Sequence, residues 1–269
     1  MQTASPVCRE EGTRHVTLTA HTQAVERAIQ TMHTHLHELL TLEDLASVAC
    51  LSPYYFNRVF RHLIGIPPGE FLTALRFQMA RHMLVATSLS VTDICFEVGY
   101  TSTGSFTSRF TQLVGLSPRL LRQRAHAFEP LPVLSTEGPG SGPMLPTHTP
   151  LKRALLGRIS APTTFRGTIY IGLFTSSIPQ GAPVRCTRLS EPGWYLLPGL
   201  ADGVYYLRTA AFPVANDLQT SLLPGKNILL GKNTDAIVIH NGHISGNPDL
   251  TLRPPRLTDP PLVMGLPLL

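Results

Sequence analysis

One segment of this chain occurs twice. Ser52, Phe56, Phe60, Leu63, Gly65 and Pro68 recur in register as Ser102, Phe106, Phe110, Leu113, Gly115 and Pro118, each 50 positions further on. A short apolar pattern precedes each copy, Leu45-Ala46 before the first and Ile94-Cys95 before the second. These lie 49 positions apart, so the second copy has one extra residue in its turn. A two-unit repeat is too short for a solenoid, whose stacked units need neighbours on both sides. The pattern predicts a duplicated helix-turn-helix.

The local chemistry of each unit agrees. Thr41 opens a Thr-x-x-Asp pattern that caps a helix, with Asp44 in the favourable first turn. Leu42, Leu45, Ala46 and Ala49 give that short helix an apolar side. Ser52 begins a second helix with Pro53 at its first position, where the missing N–H costs nothing. Phe56, Val59, Phe60 and Leu63 then fall at i, i+3, i+4 and i+7, a single buried stripe. Gly65 and Pro67-Pro68 stop the helix. Tyr54, Asn57, Arg58 and Arg61 are left on the opposite side. The second unit repeats the grammar with Ser90-x-x-Asp93, Ile94, Cys95, Val98, Gly99 and the cap Ser102. Its stripe is Phe106, Phe110 and Leu113, and Ser117-Pro118 starts a last helix. Between the units, Glu70–Ala86 reads as an amphipathic helix with Phe71, Leu75, Met79, Met83 and Leu84 facing inward.

The run Gly99-Tyr100-x-Ser102, Phe106, Phe110, Gly115 and Ser117-Pro118 resembles the signature of AraC-type transcription regulators, the arabinose-regulator family. The resemblance covers roughly residues 23–126 and implies a seven-helix domain with two recognition helices in successive major grooves of double-stranded DNA. The DNA-binding residues it implies are Tyr54, Asn57, Arg58 and Arg61 in the first unit. In the second they are Ser102, Thr103, Ser105, Ser108 and Arg109. Two positions depart from the family pattern. Cys50 stands where the family has a turn glycine, and mild strain follows if that residue needs φ > 0. Ser108 stands where the family often has a long polar residue or arginine, the cation being displaced to Arg109, in register with Val59. The first helix therefore offers Asn and Arg side chains that pair with base edges, and the second mostly short hydroxyls suited to phosphates. Arg109, near the stripe, is expected to reach sideways to a phosphate or to pair with an acid.

Outside the repeat, residues 1–22 read as irregular, and a helix is expected from Gln23 to Leu40. It carries His33 and His37 at i, i+4, but no carboxylate or cysteine completes a metal site, and none is expected. Residues 129–164 read as a proline-rich linker, semi-rigid by composition, in which Leu151–Arg158 has the residues for one or two helical turns. From 165 to 269 the texture changes to short β segments: 168–174, 183–189, 193–197, 203–212, 227–230, 235–240, 243–245 and 249–252. Asn241-Gly242 between two of them is a strong hairpin signal. Gly193, Tyr195, Gly199, Gly203 and Tyr205 are similar to a run in prealbumin-like, carboxypeptidase-regulatory-type sandwich modules, which implies a fold and no activity. The whole chain thus reads as multidomain, an all-α tandem helix-turn-helix domain followed by an all-β sandwich joined to it through few contacts.

Composition limits the function classes. Charged residues make up only 14% and apolar residues 43% of the 269, so the chain folds rather than staying disordered. A net charge of +5 suits a polyanionic partner. Before Lys152 all fixed positive charge is arginine. The four cysteines have neither CxxC nor finger spacing and read as free thiols. No GxSxG, HExxH, Walker A or GxGxxG pattern occurs, so no enzyme activity and no cofactor is expected. With no apolar run of membrane-spanning length and no signal-peptide pattern, the expected setting is cytoplasmic with no membrane partner. For the sandwich two roles stay open: a homodimer or protein-contact module, or a sensor for a small-molecule effector.

Overall fold

The computed structural model describes residues 6–127, 153–161, 165–214, 228–233 and 235–264, with side chains from Leu18 onward. Seven helices come first: α1 (Pro6–Thr34), α2 (Leu42–Val48), α3 (Pro53–Ile64), α4 (Pro68–Ala86), α5 (Val91–Glu97), α6 (Thr103–Val114) and α7 (Pro118–His126). The duplicated grammar has become duplicated geometry. Thr41 and Ser90 each form a full capping box, with Asp44 and Asp93 reaching back to the cap amides. Both turns close with the same Schellman pair of bonds, Leu51 N–H to Ala46 and Cys50 N–H to Ser47, then Tyr100 N–H to Cys95 and Gly99 N–H to Phe96. Gly65 and Gly115 end α3 and α6 in the left-handed region at φ 91° and 87°. Ser102 caps α6 through its hydroxyl, whereas Ser52 makes no side-chain cap bond.

The two turns differ at one residue. Cys50 takes φ 58° and Gly99 takes φ 79°. A Cβ on Gly99 would lie 2.8 Å from the His37 carbonyl oxygen, so that turn needs glycine for space as well as for φ. Cys50 is exposed, and its side chain has room.

Aromatic rings fill the core beneath both units. Phe56, Phe60 and Phe71 stack edge to face under the first. Tyr100, Phe106 and Phe110 surround Phe77 under the second. Helix α4 supplies one phenylalanine to each group, which is how it fixes the units against each other. Three arginines tie the helix ends. Arg27 donates to the carbonyls of Val48 and Ala49, Arg76 to Leu36 and Glu38, and Arg122 to Leu84 and Leu89. A planar fork satisfies two orphan carbonyls at once, which lysine does less well, and the helical half accordingly contains no lysine.

Among the described residues nine strands follow: β1 (Leu155–Ser160), β2 (Gly167–Phe174), β3 (Arg185–Leu189), β4 (Trp194–Leu197), β5 (Gly203–Pro213), β6 (Leu229–Lys232), β7 (Ile237–His240), β8 (His243–Ser245) and β9 (Leu250–Thr251). One sheet has the order β4-β1-β9, the other β3-β2-β5-β7-β8 with β6 also on β5. Their inward residues, among them Leu155, Ile159, Tyr195, Leu197, Ile171, Leu173, Leu207 and Ile239, form one shared core, so the two sheets pack as a sandwich. Asn241 (φ 51°) and Gly242 (φ 79°) make the two-residue turn between β7 and β8.

Several expectations need correction. Residues 1–22 are not irregular throughout, since α1 starts at Pro6. A helix packed along Val25, Ile29 and Met32 extends N-terminally at one hydrogen bond per residue, because no proline interrupts it after Pro6. The same helix ends at Thr34 rather than Leu40, which takes His37 off it and leaves Leu39 exposed. Residues 155–160 form no helical turn and no linker. They are β1, paired antiparallel with β4 and parallel with β9. On α4, Met79 is largely exposed and Met83 only partly buried, while Phe77 and Arg81 are inside. The remainder of the expected linker, 129–152, lies outside the described residues.

The halves touch through loops. Ile178, before β3, and Val263, near the described C-terminal end, are buried in the helical core. Fully burying such a side chain stabilises by about 1.5–3 kcal/mol before ordering costs. The Gly181 N–H donates to the Leu113 carbonyl (2.7 Å) and the Ser177 hydroxyl to the Gly65 carbonyl (3.5 Å). Arg81 is wholly buried and donates from Nη1 to the carbonyls of Val263 and Met264, while its Nε and Nη2 find no partner among the described residues. Burial lowers its guanidinium pKa to about 10, which leaves it charged at neutral pH.

Candidate nucleic-acid interface

Burying Phe56, Val59 and Phe60 forces the other side of α3 outward. Tyr54 is 81% exposed, Arg58 and Arg61 are exposed, and Asn57 is half-buried. Arg58 is held in place. Its guanidinium lies over the Tyr55 ring, 4.9 Å from the centroid. Tyr55 in turn pairs its hydroxyl with His21 Nε2 at 3.1 Å, the two rings edge to face. Helix α1 therefore supports α3 through His21 and Tyr55, a relay that the sequence pattern does not reveal. Its one legible sign was the Tyr55–Arg58 spacing, since residues three apart are neighbours on a helix surface.

The second helix presents a different surface. Ser102, Thr103, Ser105, Ser108 and Arg109 are all exposed. The Ser102 hydroxyl accepts from the Ser105 amide, while the Ser105 hydroxyl donates back to the Ser102 carbonyl. Thr111 bonds the Thr107 carbonyl. Thr103, Gly104, Thr107, Ser108, Thr111 and Gln112 line a shallow open concavity along α6. Arg109, although in register with the buried Val59, is exposed, and it donates to Gln112 Oε1 at 3.1 Å; of its two expected partners an acid is not the one it meets. A flexible charged chain escapes the stripe where a valine cannot.

Among the described residues, no ion pair involves α3 or α6. Arg58, Arg61 and Arg109 are exposed, with no acid bound to them among the described residues.

Residues 45–124 match the family model described as a helix-turn-helix domain. The chain is 32% identical over 106 residues to the regulatory protein PocR of Salmonella typhimurium, covering 39% of this chain and 35% of that protein. It is 36% identical over 83 residues to the HTH-type transcriptional activator AarP of Providencia stuartii, covering 31% and 62%. A crystal structure of the DNA-binding domain of AdpA, the global transcriptional factor, in complex with a target DNA, aligns with a TM-score of 0.37 and 29% identity, over 42% of this chain and 97% of that one. The chain thus spans less than two thirds of the length of the curated relatives it matches. Pattern, geometry and relatives agree on the helical half: residues 45–124 form a helix-turn-helix domain similar to those of these regulators.

Proposed function

We propose that the chain is a sequence-specific DNA-binding transcription regulator, with α3 and α6 entering successive major grooves of one duplex. The observation that carries this is the pair of capped, outward-facing helices whose arginines have no acidic partner. The two helices contribute unequally. In α3, Asn57, Arg58 and Arg61 supply the amide and guanidinium heads that match adenine and guanine edges, and Tyr54 packs on the backbone or a thymine methyl. In α6, Ser102, Thr103, Ser105 and Ser108 hold phosphates, and Arg109 adds a cation without base preference.

The test is selection of duplexes from a random-sequence pool by the full chain. Two conserved half-sites about 10 base pairs apart are expected, the stronger under α3. A chain that retains no duplex even at low salt, where phosphate contacts are strongest, refutes the reading.

For the sandwich we propose protein contact, with a homodimer as the first case. The outer side of its small sheet carries Leu156 and Trp194, each about half exposed, with Arg158 beside the Trp194 ring. Sedimentation of the wild type against Trp194→Ser tests this. A monomer at all concentrations removes the homodimer.

A further inference from the structure

Residues 175–184, between β2 and β3, meet the far ends of both recognition helices. Ser177 donates its hydroxyl to the Gly65 carbonyl at the C-cap of α3 (3.5 Å). Four residues later, the Gly181 amide donates to the Leu113 carbonyl in the last turn of α6 (2.7 Å). Both acceptors belong to the carbonyls that a helix end leaves without an internal partner. Between the two donors, Ile178 is only 2% exposed and sits in the helical core. The sheet backs this loop, because Arg208 of β5 donates to the Ser177 carbonyl at 2.6 Å. A further contact falls on α4, the helix joining the two units, where Arg81 holds the carbonyls of Val263 and Met264.

One loop therefore bonds the C-terminal ends of α3 and α6, while a second segment holds the helix between them. The exposed residues near the starts of those helices, Tyr54, Arg58, Thr103 and Ser105, stay uncovered. We infer that the β2–β3 loop is a brace, with Ile178 as its positioning residue. Together with α4 it fixes the separation and angle of the two recognition helices, and so sets which half-site spacing the chain accepts. The spacing consequence rests on the DNA-reading function proposed above; the brace itself does not.

The experiment has two arms, both on the full chain. In the first, spin labels are introduced at His62 and Thr111 through unnatural amino acids, and the distance distribution is measured without DNA. Wild type and Ile178→Val should give one narrow distribution, and Ile178→Ser a broad one. In the second, the selected duplex is respaced by one base pair. Wild type should lose roughly tenfold in affinity and Ile178→Ser under about threefold, with unchanged preference within each half-site. A narrow distance and an undiminished spacing penalty in Ile178→Ser overturn the brace. Should that variant melt at the growth temperature, Arg208→Ala, which withdraws support from Ser177, is read by the same two criteria. A wild type with a narrow distance but no affinity for any duplex refutes the DNA-reading function alone, and the distance arm still decides the brace.

Discussion

Cys50 and Gly99 occupy the same place in two copies of one turn, and the comparison gives a prediction at each. Both are left-handed, a conformation that costs an L-residue with a Cβ about 1–2 kcal/mol. Cys50→Gly removes that strain at some cost in unfolded-chain entropy, so a net gain of about 0.5–1 kcal/mol is expected in urea melts. Gly99→Ala adds the same strain and a collision with the His37 carbonyl oxygen, and should cost roughly 2 kcal/mol or more. On the reading surface, Arg58→Ala should cost about 1–3 kcal/mol in DNA binding and relax preference at one base pair. Ser108→Ala should cost little and change no preference, and Arg109→Ala should weaken all sequences alike and flatten the salt dependence. A base-by-base operator scan with each variant checks these; specificity lost chiefly under α6 would reverse the assignment. The outward-facing residues of α3 were legible because a strict apolar stripe dictates what faces out. The His21–Tyr55–Arg58 relay was not, because His21 and Tyr55 lie 34 positions apart and meet only in the folded chain.

Among the elements, β1 shows why periodicity sometimes misleads. Leu155, Gly157 and Ile159 point inward and Leu156, Arg158 and Ser160 outward, a clean alternation. Gly157 contributes no side chain to that pattern, and the neighbouring Lys, Arg, Ala and Leu favour a helix, so the strand was hidden. The other eight strands lay close to where β-branched and aromatic alternation placed them. The segment after β9 depends on Asp259, which accepts two bonds from Arg253 and one from the Arg256 amide, with Lys232 at 3.8 Å. Burial alone would raise its carboxyl, but those donors and charges outweigh it and hold the group below its ordinary value of 3.8. A depressed folded-state value contributes stability above the unfolded pKa, and the contribution is lost as pH falls through the folded one. Asp259→Asn should therefore cost about 2–4 kcal/mol at neutral pH, and its deficit against wild type should shrink as pH falls below 3.8. Urea melts followed by the fluorescence of Trp194, the single tryptophan, measure both; a deficit independent of pH would contradict the assignment.

In the molecule as a whole, the two domains were legible from texture, but their contact was not. Ile178 and Val263 sit in loops with no period, and nothing in their neighbourhood marks them as core of the other half. Composition makes residues 130–150 the place where a protease should cut. With two buried side chains and the Arg81 bonds across the contact, the resulting pieces should still co-elute on a sizing column, and Ile178→Asp should separate them. Pieces that part without the substitution would show the contact to be weaker than its burial implies. Arg81 has a further consequence for synthesis. Its carbonyl partners are 182 and 183 residues downstream. On a ribosome, the helical half, rich in short-range contacts, has time to fold while most of the β half is still unmade. Until Val263 and Met264 emerge, Arg81 has only water to bond. A nascent or prematurely terminated chain therefore carries α3 and α6 packed on α4 before the 175–184 loop and Val263 can pack against them.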